Sequence, residues 1–135
     1  MTLNARLRVL VADGHDECRW AMEDALRTDC EVVSTVADGR QLIHAAMSLL
    51  PDVIVSDISM PFLTGVQAME KLHQGGYQIP FVLVSPTNFW VEDYIKMGAM
   101  AFVNKVDVDY DLLTAVLSAS LGLVCVSRNA GPGPS

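Results

Sequence analysis

Three stretches of the chain are apolar without a break: Val9-Leu10-Val11-Ala12, Val53-Ile54-Val55 and Phe81-Val82-Leu83-Val84. A strand that is apolar on both faces has to be covered on both faces, which is the situation of a parallel sheet packed between helices. The segments around these runs fit that arrangement. Arg8–Ala12 reads as the first strand and stops at Asp13-Gly14. Asp16 then serves as a plausible N-cap for a helix with Cys18, Met22, Ala25 and Leu26 at helical spacing. Glu31–Val36, dense in β-branched residues, is the second strand. It is followed by Ala37-Asp38-Gly39 and by a helix marked by Leu42, Ala45, Ala46, Leu49 and Leu50, closed by Pro51. Asp52–Ser56 is the third strand, and a turn over Pro61–Gly65 leads into a helix carrying Val66, Met69 and Leu72. Phe81–Val84 follows Pro80 as the fourth strand, and a helix with Val91, Tyr94 and Ile95 ends at Gly98. Met100–Asn104 is the fifth strand, and the last helix places Leu112, Leu113, Val116, Leu117 and Leu121 on one face. Alternating strands and helices with right-handed crossovers give a three-layer α/β sandwich around a five-stranded parallel sheet. Residues 1–122 form one domain, and 123–135 form a tail whose Asn129–Ser135 segment has linker composition.

The chain has 135 residues, 51% of them hydrophobic and 19% charged, enough for one domain with its own core. No apolar run approaches the roughly 18 residues needed to cross a bilayer. The first residues lack the apolar centre of a secretion signal, so a cytoplasmic location is expected. Cys18, Cys30 and Cys125 are odd in number and far apart, which favours reduced thiols over a disulfide or zinc site. The net charge of −7 repels phosphate backbones, so direct nucleic-acid binding by this chain is not expected. The seven methionines read as core filler. His15, His44 and His73 show no ligand spacing and read as surface or turn residues. Phe89 and Trp90, before the fourth helix, fit either a partner contact or packing beneath the loop.

In an open parallel sheet, ligands collect beyond the carboxyl ends of the strands. There the sequence places Asp13, Asp57, Ser85 and Lys105, at the ends of strands one, three, four and five. Each taken singly could be a turn cap or a surface residue. Together they bring two acids, a hydroxyl and an ammonium to one edge. Two adjacent carboxylates ionise together only beside a compensating cation, and Mg2+ favours such an oxygen-rich set. One reading is a nucleophilic carboxylate, Asp57, accepting a phosphoryl group that Lys105 and the metal neutralise and Ser85 hydrogen-bonds.

The sequence resembles the receiver domain of bacterial two-component response regulators. The resemblance runs from about Arg6 to Leu121. It rests on Pro51-Asp52-Val53-Ile54-Val55-Ser56-Asp57-Ile58-Ser59-Met60-Pro61 with Gly65, and on Gly98-Ala99-Met100-Ala101-Phe102-Val103-Asn104-Lys105. Val9-Leu10-Val11-Ala12-Asp13-Gly14-His15, Ala37-Asp38-Gly39 and Leu113-Thr114-Ala115-Val116 are similar to members that carry a helix-turn-helix output domain. The resemblance implies a flavodoxin-like strand order, 2-1-3-4-5. It implies Asp57 as phosphoacceptor from a sensor histidine kinase, Lys105 as the phosphate-contacting lysine and Ser85 as the switch hydroxyl. It further implies Phe102 as an aromatic switch that turns inward, and Mg2+ held by Asp13, Asp57 and the backbone carbonyl of Ser59. A homodimer, and a DNA-binding output domain absent from this chain, are further implied partners. The chain is thus either a fragment ending in a linker or a stand-alone receiver.

Several positions depart from the family pattern. The second of two adjacent acids after strand one is replaced by Gly14, which weakens Mg2+ binding unless Asp16 substitutes. The small residue after the switch hydroxyl, whose N–H meets the phosphoryl group, is replaced by Pro86, which has none. The Ser85–Lys105 segment is short, so a trimmed fourth helix is expected, and Val106 stands where a proline is common. These departures support an alternative, a degenerate receiver acting as a phosphorylation-independent interaction or dimerisation module. A nucleotide or flavin binder ranks last, because Asp13-Gly14-His15-Asp16 offers no glycine-rich phosphate loop. Retention of Asp57, Ser85 and Lys105 favours the phosphoacceptor.

Overall fold

The computed structural model describes residues 6–126. Its sheet is built from β1 (Leu7–Ala12), β2 (Cys30–Val36), β3 (Val53–Asp57), β4 (Phe81–Ser85), β5 (Ala101–Asn104) and β6 (Cys125–Val126). The helices are α1 (Asp16–Leu26), α2 (Gly39–Leu49), α3 (Gly65–Gln74), α4 (Val91–Lys96) and α5 (Val108–Ser120). All strand pairs are parallel, in the order β2-β1-β3-β4-β5-β6. The expected order of the first five strands holds, and a sixth is added. Cys125–Val126 lies in the segment expected to be tail, yet it pairs with Ala101–Phe102 at the sheet edge. The linker-like Asn129–Ser135 lies outside the described residues.

The unbroken apolar runs separate by parity onto two faces. Val9, Val11, Val53, Val55, Val82 and Val84 pack with Met22 and Leu26 of α1 and Leu112 and Val116 of α5. Leu10, Ile54, Phe81 and Leu83 pack with Leu42 of α2 and Met69 and Leu72 of α3. Two helix faces differ from the sequence reading. On α5 the buried positions include Ala115 and Ala119, while Leu117 and Leu121 are exposed. Small residues let α5 lie close to the sheet, and the leucines fall outside that stripe. On α2, Leu50 is the C-cap, with a left-handed φ of 48°, and points to solvent. The methionines divide: Met22, Met60 and Met69 fill the core, whereas Met47 and Met97 are exposed.

The helix starts also repay attention to the caps. Asp38 caps α2 by accepting from the Gln41 N–H at 2.8 Å. Thr64 and Gln67 form a reciprocal capping box on α3. On α1 the N-cap is His15 rather than Asp16, and no side chain closes the turn; Asp16 is the first helical residue and pairs with Arg19. The fourth helix is short, as expected, at six residues.

Gly65 shows why the turn after β3 needs a glycine. A Cβ there would lie 2.3 Å from the Asp57 carbonyl oxygen and 2.7 Å from Ser56 Oγ. Its N–H donates to the Ile58 carbonyl at 2.8 Å, fixing α3 against the end of β3. Gly65→Ala is expected to destabilise the fold by about 3 kcal/mol or more, as overpacking against backbone does. Urea unfolding of the variant and the parent checks this.

Candidate functional site

The carboxyl ends of β1, β3, β4 and β5 carry the four expected residues. Asp13 follows β1 directly, Asp57 and Ser85 end β3 and β4, and Lys105 follows β5 at the start of a 3-10 turn over Lys105–Asp107. Asp13 is fully buried and Asp57 is 2% exposed. Lys105 Nζ lies 3.2 Å from Asp13 Oδ2 and 3.5 Å from Asp57 Oδ2. Two buried carboxylates thus share one ammonium, which leaves one negative charge uncompensated. Asp13 Oδ1 accepts the His15 N–H at 2.8 Å. Asp13 Oδ2 is buried, and its partner is the Lys105 ammonium.

Burial and the neighbouring Asp13 charge push the Asp57 carboxyl above the usual carboxylate range; Lys105 and the Ser59 backbone N–H pull the other way without cancelling the rise. For Lys105, burial favours the neutral form, but Asp57 and Asp13 outweigh it and raise its pKa. The ammonium is therefore firmly held, while the ionised carboxylate of Asp57 is under strain.

Ser85 does not join this cluster through a direct ion-site contact. It sits one residue beyond Val84, the register partner of Asp57, and its Oγ accepts the Thr87 N–H at 3.3 Å. Asn104, its own register partner, donates to Asn88 Oδ1 at 2.6 Å, tying the β4–α4 loop to β5. Phe102 is fully buried and stacks on Tyr94 of α4, with centroids 6.3 Å apart and planes 9° from parallel. The ring lies inside the fold in this structure. Ser59 is exposed, and its N–H reaches Asp57. No peptide bond among the described residues is cis.

The sequence reading passed over His15. Its side chain is exposed, yet its Nδ1 lies 3.5 Å from Asp13 Oδ1, and ligand-capable atoms of Asp13, His15 and Asp57 all lie within 4.8 Å of one another. The only signal in the sequence was adjacency to Asp13 across a glycine. His73 is structural, its Nε2 meeting the Ile79 carbonyl at 3.0 Å and its ring edge-on to Phe81. Phe89 and Trp90 are both exposed, so they do not pack beneath the loop. Trp90 takes a left-handed φ of 71° at the start of α4. Cys18, Cys30 and Cys125 are free thiols.

Residues 9–117 match the family model of the response regulator receiver domain. The chain belongs to that family. The receiver is 30% identical over 129 residues to the nitrate/nitrite response regulator protein NarL of Escherichia coli, covering 92% of this chain and 59% of NarL. It is 37% identical over 106 residues to a protein-glutamate methylesterase/protein-glutamine glutaminase of Archaeoglobus fulgidus, covering 75% of this chain and 30% of that enzyme. Among solved structures, the signal receiver domain of a NarL response regulator from Mycobacterium tuberculosis superimposes with a TM-score of 0.82 at 26% identity, covering 87% of this chain and 98% of the other. The receiver therefore spans less than two thirds of these curated relatives, which contain further sequence. Among the described residues no helix is long and apolar enough to cross a membrane.

The raised pKa of Asp57 sets a stability prediction. Its folded-state value lies above the unfolded one, so the ionised group costs stability at neutral pH. That cost fades as pH falls through the raised folded-state value and is gone below the unfolded one. Asp57→Asn is expected to stabilise the receiver at pH 7 by on the order of 1 kcal/mol, a few degrees in Tm. Thermal unfolding across the acid range should show the two proteins converging.

Proposed function

We propose that the receiver is a phosphoacceptor, taking a phosphoryl group from a sensor-kinase histidine onto Asp57 and switching an output surface made by α4, β5 and α5. One observation carries this reading: a buried carboxylate at the end of the central strand β3 faces an ammonium at 3.5 Å and a second carboxylate beside it. An Asp57 oxygen attacks phosphorus, the bond from phosphorus to the donor imidazole nitrogen breaks, and the imidazole leaves with the electron pair and takes up a proton. Burial makes the carboxylate more basic, hence a stronger nucleophile once ionised, and Lys105 favours that ionised form. Lys105 then balances charge developing on the phosphoryl oxygens. The Ser85 hydroxyl, at the next strand end, is the candidate donor to one of them.

The residues present fit a divalent cation. Asp13 and Asp57 are buried carboxylates that share one ammonium, and the donor set is dominated by oxygen. Asp13, Asp57 and the Ser59 carbonyl would hold Mg2+, which supplies neutralising charge to the phosphoryl oxygens when bound. Gly14 removes one carboxylate from that set.

A receiver of this kind takes its phosphoryl group from a kinase and hands the signal to an output. The DNA-binding transcriptional activator EvgA of Escherichia coli, a relative of this receiver, supports a DNA-binding output in a longer protein, and a homodimer is part of the same proposal. The degenerate-module alternative is favoured by one structural feature, the Phe102 ring already stacked inside against Tyr94. The two readings separate by intact mass after incubation with acetyl phosphate and Mg2+. A single phosphoryl adduct that Asp57→Asn abolishes supports the phosphoacceptor; no adduct at any Mg2+ concentration transfers the assignment to the module.

Pro86 also makes a measurable difference. It offers no N–H, and the next one, on Thr87, is engaged by Ser85 Oγ. Pro86→Ala restores a donor worth about 1.5 kcal/mol or more to an anion. It is expected to tighten binding of the phosphoryl mimic beryllofluoride by roughly tenfold or more, measured by titration.

A further inference from the structure

We propose that His15 supplies a nitrogen ligand to the divalent-cation site in place of the carboxylate missing at Gly14, so that the site takes a borderline ion of the Co2+ and Zn2+ class better than a two-acid oxygen site would. The inference rests on the cation site of the proposed function and specifies which ions it selects.

Three observations converge on it. Ligand-capable atoms of Asp13, His15 and Asp57 lie within 4.8 Å of one another, a span that one ion can bridge. Asp13 and Asp57 are both buried and share the single Lys105 ammonium, so the pocket carries more negative than positive charge. The third is directional. Lys105 approaches Asp13 on the Oδ2 side, whereas His15 Nδ1 stands 3.5 Å from Oδ1. The ammonium and the imidazole therefore address different oxygens, and Lys105 does not block the side where the imidazole stands.

The chemistry of the donors sets the preference. Mg2+ is hard, requires regular geometry at short distances and favours oxygen. Imidazole suits Zn2+, Ni2+ and related borderline ions, whose affinity for mixed nitrogen and oxygen sets exceeds that of the hard ions. Replacing a carboxylate by an imidazole keeps a ligand but removes a negative charge, which penalises a hard ion most. His15 precedes α1 and makes no side-chain cap to it, so its ring is not committed to holding the helix. Its exposure lets it turn toward an ion without breaking a core contact.

The test is calorimetric titration of the receiver with Co2+ and with Mg2+, compared with His15→Ala, Asp57→Asn and Gly14→Asp, together with the visible spectrum of the Co2+ form. His15→Ala is expected to weaken Co2+ by about tenfold, the lower end of what losing a residue that supports a metal costs, with a changed Co2+ spectrum. Its Mg2+ affinity should change by less than about twofold, because the hard ion draws little from nitrogen. Asp57→Asn should weaken both ions. Gly14→Asp, whose Cβ meets Pro61 Cδ at 3.3 Å and the Ala37 carbonyl at 3.4 Å, needs a small adjustment of that loop and should strengthen Mg2+. Equal losses for the two ions in His15→Ala, or unchanged Co2+ binding, would overturn the inference while leaving the proposed function intact. Co2+ binding insensitive to Asp57→Asn would overturn it as well, by placing the ion on the surface imidazole alone. Absence of any divalent binding would overturn both this inference and the cation part of the proposed function.

Discussion

Two buried carboxylates held against a single ammonium are the constraint around which the functional edge is organised. Asp57 does not ionise there at low cost, because it is buried beside the Asp13 charge and Lys105 compensates only one charge. Burying an imperfectly compensated charge is expensive, so the surrounding fold has to supply the stability that the edge gives up. It does so with a sheet apolar on both faces and covered by helices on each. Any added cation or anion would change a balance that is already uneven.

The backbone around Asp57 shows how closely that edge is built. Gly65 lies so near the Asp57 carbonyl that no side chain fits, and Gly39 is equally close to Leu63, where an added Cβ would be 2.4 Å from the Leu63 carbonyl oxygen. The turn after β3 is thereby pinned to α3 on one side and to the start of α2 on the other. Gly14 is different. Its surroundings are only moderately tight, so glycine there is a choice of chemistry more than of space. That contrast separates glycines that hold the site's shape from one that alters its ligand set.

β4 and β5 connect this edge to α4. Ser85 and Asn104 are register partners, Asn104 holds Asn88 in the following loop, and Phe102 two residues earlier on β5 stacks on α4. The β4–α4 loop and α4 are thus each tied to β5, the first by a side-chain hydrogen bond and the second by an aromatic stack. The exposed Phe89 and Trp90 lie along that route. Phe102 lies wholly inside, stacked on Tyr94.

The sequence by itself determined the five-stranded parallel architecture and the placing of four polar residues at one edge. Unbroken apolar runs demanded helices on both faces, and the strand-terminal Asp13, Asp57, Ser85 and Lys105 were legible because strand ends in such a sheet share one edge. Caps and faces were less legible. His15 rather than Asp16 is the N-cap of α1, its backbone held by the Asp13 turn, and α5 buries alanines where it lies close to the sheet. The strand Cys125–Val126 carries no periodic signal at two residues in length, and it exists only because β5 offers an open edge. Tertiary structure alone decided that His15 stands beside the two acids, that Phe102 is already inside and that Ser85 bonds within its own loop. Those outcomes depend on distances between segments far apart in the chain, which spacing along a sequence does not encode.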